Sequence, residues 1–225
     1  MPRDTLDRQI HHIQDEVLLL GSMVEQAMLN SVDALKRRDI QVAHQIYHDD
    51  QIVNEKRFAI ENAILILIAT QQPIAHDLRS LAAMLEVITE LERMGDYAKG
   101  IAKVNMRLSS GNITPPIRDL DTMANLSVGM LHRALGAFVN EDASTASMIP
   151  LEDDQVDHLY VKVYHALVES MLADPKTIED ANLYMWVAHN LERMADRVTN
   201  ICERTVFIAS GELLELEPSG DEDLE

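Results

Sequence analysis

Cysteine is nearly absent from this 225-residue chain, Cys202 standing alone, which excludes a disulfide framework and a thiolate metal cage. Glycine (8) and proline (7) are scarce, so long uninterrupted elements are expected. Aromatics make up 4% of a chain that is 47% hydrophobic. Leu, Ile, Val, Ala and Met therefore carry the packing, which suits helices interlocking along seams. Basic residues number 19 against 38 acidic ones, a net charge of -19, and no basic stripe offsets it. That field repels phosphate backbones and excludes a nucleic-acid partner, while easing the capture of cations. The imbalance lies in the second half, where residues 113–225 hold 7 basic and 22 acidic side chains against 12 and 16 in residues 1–112. The longest uncharged apolar stretch, Asn62 to Ala75, is too short to span a bilayer. Charges every few residues near the N-terminus do not form a signal peptide, and a reducing cytoplasm fits the composition. No nucleophile–base pair and no Gly-rich phosphate loop is present, so catalysis is not expected, and phosphate sensing is expected to lie elsewhere.

What is present is helical periodicity. Leu6, Ile10, Ile13, Val17, Leu20, Val24, Ala27, Ser31 and Ala34 alternate spacings of four and three, predicting a first helix from about Thr5 to Arg38. Asp39 is placed to cap a second helix running to about Thr70, whose apolar run Ala63 to Ala69 is expected to be buried on most sides, against a helix or a second subunit. Gln71-Gln72-Pro73 breaks the pattern, and Pro73 suits the first turn of a third helix with a seam of Ile74, Leu78, Leu81, Leu85 and Ile88. Ser109 to Pro116 is the one clear linker. Beyond it the plan recurs. A fourth helix spans about Asp119 to Asn140, and Asp142 caps a fifth in which Pro150 imposes a kink or a late start. The seam of that fifth helix is Leu159, Val163, Ala166 and Ser170. Ala173-Asp174-Pro175 is a second break, and a sixth helix runs from about Thr177 to Ser210, stopped by Gly211. The expected fold is all-α: two tandem antiparallel three-helix bundles related by internal pseudo-symmetry, residues 1–112 and 113–211. Residues 212–225, with seven acids and no basic residue, read as a solvated, disordered tail.

The repeat is sharpest in Glu90-Leu91-Glu92-Arg93-Met94-Gly95-Asp96 and Asn190-Leu191-Glu192-Arg193-Met194-Ala195-Asp196, which share Leu-Glu-Arg-Met-x-Asp at an offset of 100 residues. Glu and Asp four apart project from one helix face, a spacing that suits hard or borderline cations. Glu92 falls where a seam residue is due, so a carboxylate interrupts an apolar stripe. Asp50 with Asn54 on the second helix, and Asp153 with Asp157 on the fifth, are i, i+4 pairs placed to complete each motif across the bundle. The candidate metal ligands are Asp50, Glu92 and Asp96 in the first repeat and Asp153, Asp157, Glu192 and Asp196 in the second. Spacing alone leaves interhelical salt bridges to Arg93 and Arg193 as an equal alternative. A helical carboxylate enzyme is a third reading, but the Glu-x-x-His pairs of di-iron bundles are missing. His44 and His48 read as solvated, and His189 as edge packing or an outer ligand. His11, His12 and His76 show no ligand geometry, and the twelve Met read as core filler.

The run Gln71-Gln72-Pro73-Ile74-Ala75-His76-Asp77-Leu78-Arg79, the first motif, and the second-half run Asn190 to Ile201 resemble the PhoU family over nearly the whole chain. The resemblance implies two pseudo-symmetric three-helix bundles and multinuclear iron or zinc clusters held by the seven carboxylates named above. Asn54 departs from the carboxylate pattern and weakens the first site. It also implies a cytoplasmic homodimer that negatively regulates phosphate uptake and phosphate-starvation signalling. Its partners would be components of the phosphate ABC transporter and a phosphate-sensing histidine kinase, with membrane association only through those partners.

Overall fold

The computed structural model describes residues 3–109 and 113–216. Among them there is no strand. Helices α1 (Arg3–Arg37), α2 (Ile40–Gln71) and α3 (His76–Arg107) form the first bundle. Helices α4 (Ile117–Asn140), α5 (Ala143–Met148), α6 (Asp153–Ala173) and α7 (Ile178–Ser210) form the second. The α1 seam is buried at Ile10, Ile13, Val17, Leu20 and Val24, as its three–four spacing requires. Asp39 caps α2 by accepting the Val42 N–H at 3.0 Å, and Asp142 caps α5 through the Thr145 N–H at 3.0 Å. Gly211, at φ 82°, closes α7 with its N–H on the Phe207 carbonyl at 2.8 Å.

The two bundles share one hydrophobic core: α3 packs along α7, and α1 along α4, so buried side chains run continuously between the repeats. Gly21 lies where α1 meets α4, and a Cβ there would collide with the Leu135 side chain. Cys202 is fully buried, and burial pushes its thiol up to about 12, leaving an inert core residue. No helix among the described residues is long and apolar enough to cross a membrane.

Four expectations are corrected. Pro150 does more than kink the fifth helix: it splits it into α5, a 3-10 turn over Ile149–Glu152, and α6. Val156, Val163 and Leu167, rather than Leu159, Ala166 and Ser170, form the fully buried seam of α6. The third helix begins at His76 because Ala75, at φ 48°, breaks the helical path after Pro73, and Ile74 and Leu78 are left exposed. Within the apolar run of α2 only Ile64 and Leu67 are fully buried; Leu65 and Ile66 face solvent with Phe58 further along the helix. In the C-terminal stretch, Leu216 packs against the core and its N–H donates to Glu203 at 3.0 Å. Residues 212–215 are exposed, and 217–225 lie with linker residues 110–112 outside the described residues.

Candidate metal centre

Each Leu-Glu-Arg-Met-x-Asp motif lies within a third helix, on α3 and on α7. Leu91, Met94, Leu191 and Met194 are fully buried and fix the rotation of both helices. With that face locked, Glu and Asp emerge toward α2 in one repeat and α6 in the other. Gly95 brings α2 close, since a Cβ there would stand 3.3 Å from Val53 Cγ1.

In the first repeat Asp50 is buried at 6% exposure. Its Oδ2 accepts from Lys99 Nζ at 2.7 Å and from Asn54 Nδ2 at 3.1 Å. Lys99 Nζ also lies 3.9 Å from Asp96. The hydrogen bond to Asp50 raises the Lys99 ammonium above its ordinary range, overcoming the opposing effect of burial. Glu92 and Asp96 are both raised, chiefly by burial and then by each other or by Asp50. The interhelical salt bridge considered from sequence therefore exists here, with Lys99 rather than Arg93 as its cation. This site does not fit a resident metal ion: an ammonium and an amide already occupy the buried carboxylate oxygen.

The second repeat is built differently at those positions. Asp157 stands where the first has Asn54, and Thr199 where it has Lys99. Asp153, 2% exposed, is pushed up to about 7 by burial and by the charges of Asp157, Asp196 and Glu192. Glu192 is likewise pushed up to about 7 by burial, then by Asp196 and Asp157. Asp196 is raised chiefly by burial and is hydrogen-bonded to Asp153, which takes a proton on one of the two. Asp153 Oδ1, Glu192 Oε2 and Thr199 Oγ1 are buried without a hydrogen-bond partner. His189 is half exposed, not packed away, with Nδ1 3.2 Å from Glu192 Oε2 but not aligned to hydrogen-bond it. Unsatisfied buried carboxylate oxygens with no internal ammonium fit a hard divalent cation. Among the described residues no three His, Cys, Asp or Glu side chains are already grouped to hold one ion.

The structure thus brings Asp50 and Asp96 to Lys99, with Glu92 under the charge of Arg57 and Arg93. It gathers Asp153, Asp157, Glu192 and Asp196 with Thr199 in place of the lysine and with Arg193, Arg197 and His189 acting on Asp196. Sequence reasoning missed Lys99, although the Lys99–Thr199 mismatch is visible once the repeats are aligned. Arg93 and Arg193 reach no carboxylate at salt-bridge distance among the described residues; both turn to the seam between α3 and α7.

A family model described as "PhoU domain" matches twice, over residues 17–104 and 120–205, once in each bundle. The chain belongs to the PhoU family. The phosphate-specific transport system accessory protein PhoU homolog of Clostridium acetobutylicum is 32% identical, over 96% of this chain and 99% of its own. The Streptococcus pneumoniae homolog is 34% identical over 95% of this chain and 99% of its own. The crystal structure of the S. pneumoniae phosphate transport system regulatory protein PhoU superposes with a TM-score of 0.87 at 32% identity, covering 94% of this chain and all of that one. PhoU from Pseudomonas aeruginosa superposes at 0.86 with 27% identity, over 92% and 99%. The PhoU repeat is therefore the unit of this fold, and the two carboxylate sites are equivalent positions of its two copies.

Proposed function

We propose that this chain regulates phosphate transport as a non-enzymatic PhoU adaptor. It restrains the phosphate ABC transporter and the phosphate-sensing histidine kinase when phosphate is plentiful, from the cytoplasmic side and as a homodimer. The observation that carries this reading is the full-length correspondence to relatives named phosphate-specific transport system accessory proteins, across both repeats. The exposed apolar residues of α2 and its turn, Phe58, Leu65, Ile66 and Ile74, supply the kind of surface on which another protein docks.

The second-repeat carboxylates are the metal part of the reading. Asp153, Asp157, Glu192 and Asp196 would hold iron or zinc, and the ion would offset the mutual repulsion that raises Asp153 and Glu192. Asp50, Glu92 and Asp96 would hold none while Lys99 is in place. Deleting the gene and following a phosphate-regulated reporter tests the regulatory role. Derepression in rich phosphate, reversed by the wild-type chain, is expected; unchanged repression would sink it. Elemental analysis of chain purified without chelator tests the metal separately. Metal that is retained by the wild-type chain and lost in Glu192→Ala/Asp196→Ala is expected, and an equal content in both removes the assignment.

A further inference from the structure

The one-residue step from Glu to Arg in each motif turns the side chain by about 100° around the helix. The carboxylates go to the outer sites, and Arg93 and Arg193 come together at the α3–α7 seam, lining an open groove of about 540 Å³. In a chain of net charge -19, this groove gathers three guanidinium groups. Tyr97 organises two of them: its hydroxyl accepts from Arg193 Nε at 3.1 Å and from Arg197 Nε at 2.6 Å. Both cations also lie over its ring, at 5.7 and 5.6 Å from the centroid.

One of the three guanidinium groups is already paired. Glu90 accepts from Arg197 at 2.6 Å, and Asp96, on the groove's edge, faces Lys99. Arg193 donates to the neutral Tyr97, and Arg93 has no ion pair within 4.0 Å among the described residues. Each meets the carboxylates of its own motif, Glu92 and Asp96 or Glu192 and Asp196, only at longer range, so neither fork is filled by a carboxylate. A second observation points the same way. Asn190 lines the groove at 3% exposure, and its Nδ2 is buried with no acceptor. A buried amide donor beside guanidinium forks that line one groove suits an oxyanion.

We propose that the α3–α7 groove binds a phosphate group, through Arg93 and Arg193 with Asn190 as the buried donor. Arginine forks match the tetrahedral oxygens in pairs, so no Gly-rich cradle is needed. The phosphate comes either free, as inorganic phosphate, or on a nucleotide whose base would lie on Trp186, 61% exposed at the groove. The inference does not rest on the regulatory role, because it is read as binding to the purified chain.

The chain's single tryptophan makes the test direct. The full-length protein is titrated with inorganic phosphate, with ATP and with sulfate at matched ionic strength, followed by Trp186 emission and by calorimetry. Saturable binding of a phosphate ligand is expected, weakened about tenfold by Arg93→Gln and again by Arg193→Gln, each a lost charge-assisted contact. Arg133→Gln, on α4 and paired with Glu152, removes equal charge elsewhere and is expected to leave binding intact. Tighter binding of inorganic phosphate assigns the free anion, and tighter binding of ATP assigns the nucleotide. No saturable binding at millimolar phosphate or ATP overturns the proposal. So does binding that falls equally in the Arg133 variant, or that survives both groove substitutions. Both groove arginines are exposed, and circular dichroism on each single variant confirms that the fold is kept.

Discussion

Replacing Asp153 with Asn is expected to stabilise the metal-free protein above neutral pH. Asp153 is buried among Asp157, Glu192 and Asp196, and its carboxyl is raised from 3.8 to about 7. The unfolded chain ionises it near its ordinary value, whereas the folded chain holds the proton until much higher pH. Stability is therefore fully present below about pH 4, falls as the pH climbs, and is lost once the pH passes about 7. Each tenfold displacement of an acid equilibrium is worth about 1.4 kcal/mol, so ionising Asp153 in place costs up to about 4 kcal/mol. That penalty is shared with Glu192, and the new amide must itself find hydrogen bonds, so the net gain is about 2 kcal/mol. Urea unfolding of chelator-treated protein at about pH 8 and about pH 4 measures it. The Asn variant should have the higher midpoint at the upper pH, with the difference shrinking at the lower one. A variant no more stable than wild type at the upper pH would show that the cluster is already compensated, and the argument for an absent cation would fall. Adding a divalent cation should raise the wild-type midpoint and leave the Asn variant's unchanged.

Three further outcomes follow from the geometry. Lys99→Thr strips the ammonium from buried Asp50 and should cost about 2 kcal/mol near neutral pH, less than a fully buried pair because Lys99 is partly exposed. Combined with Asn54→Asp it copies the second repeat's residues, and the metal content per chain should rise above wild type; no rise would mean that Lys99 is not what closes the first site. Gly21→Ala gains about 1 kcal/mol of helix propensity but forces Leu135 aside where α1 meets α4, so a net loss of about 1 kcal/mol is expected in thermal or urea unfolding, and a raised midpoint would show that Leu135 yields freely.

The parts of the fold legible in sequence were those set by local chemistry. The α1 seam, the Asp39 and Asp142 caps and the Gly211 stop each depend on a few neighbouring residues, and each sits where its pattern places it. The run Ala63 to Ala69 misled because apolar character reports a tendency to be covered, not what covers it; Leu65 and Ile66 are open within a single chain. The start of α3 was misplaced because Pro73 is tolerated both inside a first turn and just before one, and only the backbone at Ala75 decides between them. Of the candidate site, the carboxylates were legible because repetition preserved their spacing. The meeting of Arg93 with Arg193 was not, since it depends on how α3 packs against α7, which no local pattern encodes.

The exchange of Lys99 for Thr199 has a consequence for the molecule as a whole. One copy of the repeat carries its counter-ion as part of its own covalent chain, present at a fixed one-to-one ratio under every condition. The other copy has Thr199 in that place, and there Asp153 and Glu192 are pushed up to about 7 instead. Duplication has thus left two copies of one motif with different electrostatics inside a single fused core, joined along α3 and α7.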